Sequence, residues 1–186
     1  MKRTQKLTLC ALMIATAVIL SLISKIIPAP WLQGGSVTLA SAVPIIYIGI
    51  RFGIKWGMAT SLVYAILQMM MGFYPPPTRT LLSFVLVVFL DYIIAYGVYG
   101  LGGLFCSKNK FYTIPLAGFT ATFLRYICHI LSGILIWGVY APEGQSVHAY
   151  SFIYNGTYMI PEIIITTVVF ALLMKNKHLF KTSHSK

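Results

Sequence analysis

Charge is what this chain has least of. Of its 186 residues only 9% are charged, and three of those are acids, Asp91, Glu143 and Glu162. Soluble domains carry about 25% charged residues, so an ordinary water-soluble enzyme or binding domain is excluded. Cysteine is as scarce: Cys10, Cys106 and Cys128 stand at no metal-binding or redox spacing and read as small apolar side chains. A phosphate-binding loop is missing too, since the pattern G-x-x-x-x-G-K-[ST] does not occur. Low-complexity tracts and internal repeats are likewise absent. The expectation is a chain that works without an ATPase of its own.

What is present is apolar. Hydrophobic residues make up 58% of the chain and the mean hydropathy is +0.82. At roughly 20 residues per membrane span, the length accommodates one integral membrane domain over 1–186 and little else. Six apolar stretches predict spans near 7–27, 36–50, 56–71, 81–105, 113–137 and 150–174. The fold class is therefore all-α, a polytopic membrane bundle of six transmembrane helices. Proline and glycine punctuate it at Pro28 and Pro30, Gly34-Gly35, and Gly72 with Pro75-Pro76-Pro77. The second span reaches only about 22 Å at ~1.5 Å per residue, so it must tilt or enter from a re-entrant loop. Lys2, Arg3 and Lys6 before an apolar run, with Ala15-Thr16-Ala17, imitate a secretory signal. Because the run continues to Ile27, a retained first helix is expected instead.

The net charge of +11 would suggest nucleic acid in a soluble protein. Here the basic residues flank apolar runs, which points to topology and contact with anionic lipid. On one side fall Lys2, Arg3, Lys6, Arg51, Lys55, Lys108, Lys110, Lys175, Lys177, Lys181 and Lys186; on the other, Lys25 and Arg79. The positive-inside rule then predicts both termini in the cytoplasm, with the loops at Trp31, Tyr74 to Arg79 and Tyr140 to His148 outside.

Ionisable groups within spans cost about 2.5–3.5 kcal/mol each and mark candidate functional positions. There are four: Asp91, Arg125, His129 and Glu162. Arg125 and His129 are four apart and share a helical face, and Trp137 lies eight residues further along that face. Asp91 and Tyr92 on one helix, His129 and Trp137 on the next, and Tyr150, Tyr154 and Asn155 on the last predict an aromatic, polar cleft opening outward. A carboxylate among flat rings suits a cationic heteroaromatic ligand, held by charge, stacking and cation–π attraction. The side-chain amide of Asn155 can read a ring edge. Other roles stay open from sequence: a structural ion pair of Arg125 with Asp91 or with Glu162, an interhelical hydrogen bond for His129, and interfacial aromatics at Trp137 and Tyr150. Ala11 and Ala15 form a small-residue stripe on the first helix, fit either for internal packing or for docking another membrane protein.

These stretches resemble the thiamine-binding S-components of bacterial energy-coupling-factor (ECF) vitamin transporters. The resemblance rests on Gln33-Gly34-Gly35-Ser36-Val37 with Pro44-Ile45, Phe89-Leu90-Asp91-Tyr92-Ile93, Arg125-Tyr126 with His129, and Ser132-Gly133. It continues through Trp137, Tyr140-Ala141-Pro142-Glu143-Gly144, and Tyr150-Ser151 with Tyr154-Asn155-Gly156-Thr157-Tyr158, so it spans nearly the whole chain. It implies a thiamine pocket built from Asp91, Tyr92, His129, Trp137, Tyr150 and Asn155, with Tyr74 as the loop tyrosine. It implies partner docking through Ala11 and Ala15, onto a transmembrane coupling subunit that works with two cytoplasmic ATPases. It also implies residence in a bacterial cell membrane, no metal or cofactor, and no catalysis. In some members Glu stands where this chain has Asp91, and Trp and Glu occur near the start of the second helix, where this chain has Gly34-Gly35 and no acid. The competing readings are a subunit of this class for a thiamine precursor, thiamine phosphate or another vitamin, an assembly-only membrane protein, and an intramembrane enzyme using Asp91, His129 and Glu162.

Overall fold

The computed structural model describes residues 1–26, 35–107, 110 and 112–180. The expected break at Pro28 and Pro30, the Trp31 loop, Gln33-Gly34, Lys108, Lys181 and Lys186 lie outside the described residues. Six main helices stand among those described: α1 Arg3–Ser24, α2 Ala42–Phe52, α3 Ile54–Gly72, α4 Leu81–Leu104, α5 Thr113–Leu135 and α6 Val147–Leu173. Short 3₁₀ turns follow α5 at Trp137–Tyr140 and α6 at Lys177–Phe180. No strand occurs among the described residues.

Large apolar side chains cover the outside, and polar groups are buried among an apolar core, an arrangement suited to a membrane. Leu81 and Leu82, Phe152, Ile164 and Leu172 face outward, while Thr122, Ser132, Ser151, Thr166 and Glu162 are buried. Four helices, α1, α4, α5 and α6, are long and apolar enough to cross a bilayer. On α1, Cys10, Ala17, Ser21 and Ser24 turn inward. Ala11 and Ala15 are exposed, which removes the internal-packing reading of that stripe.

The second helix departs from expectation. Residues 36–41 are not helical, and α2 begins at Ala42. The backbone N–H of Thr38 is taken by Glu162 Oε2 at 2.7 Å, and that of Leu39 by Ser24 Oγ at 2.8 Å. Ala40 adopts φ 59°, a left-handed conformation no helix continues through. Side chains have replaced the helical carbonyls as acceptors, so the segment stays out of the helix. At 11 residues α2 is only about 16 Å long.

Gly53, at φ 86°, makes the turn from α2 into α3. Around it the helices approach at backbone distance. A Cβ on Gly57 would lie 2.4 Å from the Gly100 carbonyl oxygen, and one on Gly103 would lie 2.2 Å from that of Gly49. This seam ties α2 and α3 to the last turns of α4, which tighten to 3₁₀ geometry over Val98–Leu104. The basic residues gather at the same end. Lys6 Nζ stands 5.5 Å from the Phe52 ring and 5.9 Å from that of Trp56. Arg51 donates to the Leu179 carbonyl at 2.6 Å and to Tyr47, whose ring receives the edge of Phe180.

At the opposite end the helices part. A cavity of about 410 Å³ opens between the C-terminal ends of α1, α3 and α5 and the N-terminal halves of α4 and α6.

Candidate functional site

Asp91 reaches this cavity from a π-helical turn, Val88–Ile93, inserted in α4. Such a turn adds one residue to the helical repeat and rotates the remainder of the helix, so Asp91 and Tyr92 both reach the interior. No residue in the run marks it in advance.

The carboxylate of Asp91 takes three donors from α5 and the turn after it. His129 Nδ1 lies 3.1 Å from Oδ1; Ser132 Oγ donates to Oδ2 at 2.7 Å and Trp137 Nε1 at 3.1 Å. His129 and Ser132, three apart, share one face of the C-terminal part of α5, and Trp137 joins them from the 3₁₀ turn beyond the end of that helix. Asp91 and His129 form the one acid–base contact within 4 Å among the described residues, their side chains 16% and 11% exposed. Arg125 is therefore not the direct partner of Asp91. It donates Nε–H to His129 Nε2 at 3.1 Å and Nη1–H to the Tyr99 hydroxyl at 2.6 Å, and its guanidinium sits 4.2 Å from the Tyr96 ring centre. Nor does Arg125 pair with Glu162, whose two oxygens receive the N–H and hydroxyl of Thr38 at 2.7 and 2.6 Å.

All seven sequence-predicted ligand residues line the cavity: Asp91, Tyr92, His129, Trp137, Tyr150, Asn155 and Tyr74. Their polar atoms are not equally available. The Tyr92 hydroxyl donates to the Gly72 carbonyl and accepts from Tyr74 N–H, both at 3.0 Å. Its ring stacks on Phe73 with centroids 5.7 Å apart. Tyr92 thus contributes a ring wall and pins the loop that carries Tyr74, and its hydroxyl is not free for a ligand. The side-chain amide of Asn155 gives Nδ2–H bonds to the carbonyls of Ser151 and His129 and accepts from Tyr158. Asn155 braces α6 against α5 at the cavity wall.

The aromatic rim has two groups of touching rings. Tyr74 leans on Trp137 at 5.4 Å, Trp137 stacks with Tyr140 at 6.3 Å and 15°, and Tyr150 lies against Tyr154 at 5.6 Å. Gly133 makes the neighbouring wall possible, because a Cβ there would come within 2.0 Å of Ser151 Oγ. Gly35, at φ 100°, lies flat on the Tyr158 ring and brings the extended 35–38 segment over the same wall.

Sequence reasoning missed several residues of the site. Ser132, which donates to Asp91 from behind the cavity wall, stands out in the sequence only as half of the Ser132-Gly133 pair. Ser21 and Ser24 of α1, Gln68 of α3 and Tyr96 of α4 also line the cavity. Gln68 accepts from Ser21 at 3.3 Å and donates to the Tyr64 hydroxyl at 2.7 Å. Their one available signal was polarity within apolar helices, with Ser21 and Ser24 three apart on one face. Among the described residues no group of three or more His, Cys, Asp or Glu side chains could hold a metal ion.

The family model described as Thiamine transporter protein (Thia_YuaJ) matches residues 7–181. A curated relative from Bacillus subtilis (strain 168), "Thiamine transporter ThiT", is 36% identical over an alignment covering 92% of this chain and 91% of that protein. A protein of the same name from Lacticaseibacillus paracasei is 34% identical, over 46% of this chain and 48% of its own length. Among solved structures, ThiT from Listeria monocytogenes superposes with a TM-score of 0.72 over 97% of this chain and 99% of that one, at 22% identity. With a fold shared end to end, and a family model matching nearly its full length, the chain belongs to the thiamine transporter protein (Thia_YuaJ) family.

Proposed function

We propose that this chain is the substrate-capturing membrane subunit of an ECF-type importer and that its cavity holds thiamine. The observation that carries this reading is the setting of Asp91: a carboxylate on the cavity wall, held by His129, Ser132 and Trp137 and ringed by Tyr74, Trp137 and Tyr150. Thiamine carries a permanent positive charge on its thiazolium ring and a second flat ring, an aminopyrimidine. Asp91 supplies the counter-charge, attractive by about 4 kcal/mol at 4 Å and an effective dielectric of 20. The aromatic rim supplies stacking and cation–π contacts of about 0.5–2 kcal/mol each. That the relatives are named thiamine transporters supports the same ligand, and supports a carrier over an enzyme.

The basic end of the bundle faces the cytoplasm in this reading, with both termini inside and the cavity open to the exterior of a bacterial cell. The coupling subunit docks on α1, where Ala11 and Ala15 are exposed and small enough for close helix contact. Two cytoplasmic ATPases complete the importer and supply the energy that this chain does not.

One feature favours a second ligand, thiamine monophosphate. Lys25 lines the cavity, its ammonium donating to the Met71 carbonyl at 3.2 Å, and such a cation suits a phosphate ester. Tryptophan fluorescence of the detergent-purified protein, titrated with thiamine, its monophosphate and its pyrimidine precursor, tests both readings. Saturable quenching by thiamine is expected. Saturation by an unrelated vitamin, with no response to thiamine, would overturn the ligand and leave the transporter class standing.

A further inference from the structure

Arg125 poses a problem for a cation site. It lines the cavity, is 7% exposed, and carries a positive charge with no carboxylate bonded to it. Simple electrostatics makes it a liability for binding thiamine. Its hydrogen bonds give it another role.

A guanidinium only donates. The 3.1 Å contact from Arg125 Nε to His129 Nε2 therefore requires a bare lone pair on Nε2. The remaining ring proton then sits on Nδ1, 3.1 Å from Asp91 Oδ1, and donates to that carboxylate. Neutral imidazole has one donor and one acceptor nitrogen, and both are engaged. Were Arg125 absent, Nε2 would be open to a second proton, and an imidazolium next to Asp91 would cancel the charge meant for the ligand.

We propose that Arg125 is a positioning residue that holds His129 as its neutral Nδ1–H tautomer and so keeps the Asp91 charge available to a cationic ligand. The inference rests on the thiamine reading. The rest of the surroundings fit it. From α4, His129 faces Asp91, with Tyr96 and Tyr99 holding Arg125 in place. From α6 it meets the edge of Tyr158 at 5.9 Å, beyond which Glu162 is bonded to Thr38. Lys25 of α1 lines the same cavity.

The test compares thiamine with its neutral analogue, in which thiophene replaces the thiazolium ring, between about pH 8 and about pH 5.5, the range in which an imidazole titrates. Wild type binds each ligand with a flat profile. In Arg125→Met, thiamine affinity falls as pH falls, by up to about tenfold per unit, the limit for competition with one proton. The neutral analogue, which shares the aminopyrimidine, stays flat. Adding His129→Asn to that variant abolishes the slope. A flat thiamine profile in Arg125→Met, or a slope that survives His129→Asn, overturns the proposal. A second measurement does not depend on Arg125→Met folding: ¹⁵N-histidine spectra of wild type, with His129→Asn for assignment, should show Nδ1 protonated and Nε2 bare at neutral pH. A doubly protonated or Nε2–H ring overturns the proposal. If wild type binds no thiamine at all, the ligand reading fails, while the spectra of the ligand-free protein still decide the tautomer.

Discussion

At the basic end of the bundle, Gly49, Gly57, Gly100 and Gly103 bring α2, α3 and α4 into backbone contact, and Lys6 and Arg51 lie over aromatic rings. At the other end α3 and α4 separate, and with α1, α5 and α6 they enclose about 410 Å³ of space, walled by hydroxyls, side-chain amides and rings. Helices of similar composition thus close one end and open the other. The difference lies in side-chain size at the crossing points. With no Cβ at the crossing, one backbone can lie on another. Where Tyr92, Tyr96 and Trp137 cross instead, bulk holds the helices apart and leaves polar atoms facing a hollow. Stability is concentrated at the first end and recognition at the second.

Substitutions can break that division of labour. The largest effect is expected from Gly57→Leu, whose first added atom would fall 2.4 Å from the Gly100 carbonyl oxygen. It should lower stability by about 3 kcal/mol or more, read as a collapse of the melting temperature in detergent. Any protein that remains folded should bind thiamine normally, because the cavity lies at the far end. Asp91→Asn tests the other end. Removing the carboxylate charge while keeping the side chain's size should cost about 2–4 kcal/mol of binding, a drop of roughly 30- to 1,000-fold in thiamine affinity. Melting without ligand should change little. A loss of stability in step with affinity would mean that the two ends are not separate.

Two smaller changes sharpen the boundary. Glu162→Gln leaves one acceptor for the N–H and hydroxyl of Thr38 and weakens the hold on the non-helical segment before α2. A cost of about 1.5–3 kcal/mol is expected, visible as faster amide hydrogen exchange over residues 35–41. Trp137→Phe keeps a ring on the rim and removes the Nε1–H donor to Asp91. Affinity for thiamine should fall by about tenfold, corresponding to about 1.4 kcal/mol, measured by calorimetry because the reporting tryptophan is gone.

Much of the site was legible because helical periodicity is rigid. Arg125 and His129, four apart, had to share a face of α5, and a carboxylate on the preceding helix was the natural partner for that face. Trp137, expected eight residues further along the same helix, reaches the carboxylate from the 3₁₀ turn beyond the helix end. What escaped was the pairing itself. Asp91 stands near Arg125 by depth, yet the guanidinium bonds to His129 and Tyr99, and Asp91 is met by His129, Ser132 and Trp137. The π turn in α4 shifts the register at that position, and hydropathy carries no trace of it. The start of α2 escaped for a related reason: residues 36–41 are apolar enough to read as helix. Their backbone donors are claimed by Glu162 and Ser24, which lie far away in sequence. Residue type alone suggests a ligand for the hydroxyl of Tyr92 and the side-chain amide of Asn155, and both hold the protein to itself.

The sequence by itself determined the solvent. A chain with so few charges and so many apolar residues can fold only where lipid replaces water, and a bilayer of fixed thickness then dictates long helices and where they end. Only the tertiary structure decided which polar groups meet. Hydrogen bonds act over about 3 Å and along defined directions, so a small rotation or shift of one helix exchanges one partner for another without altering any apolar stretch. That is why Arg125 bonds to His129 and not to Asp91.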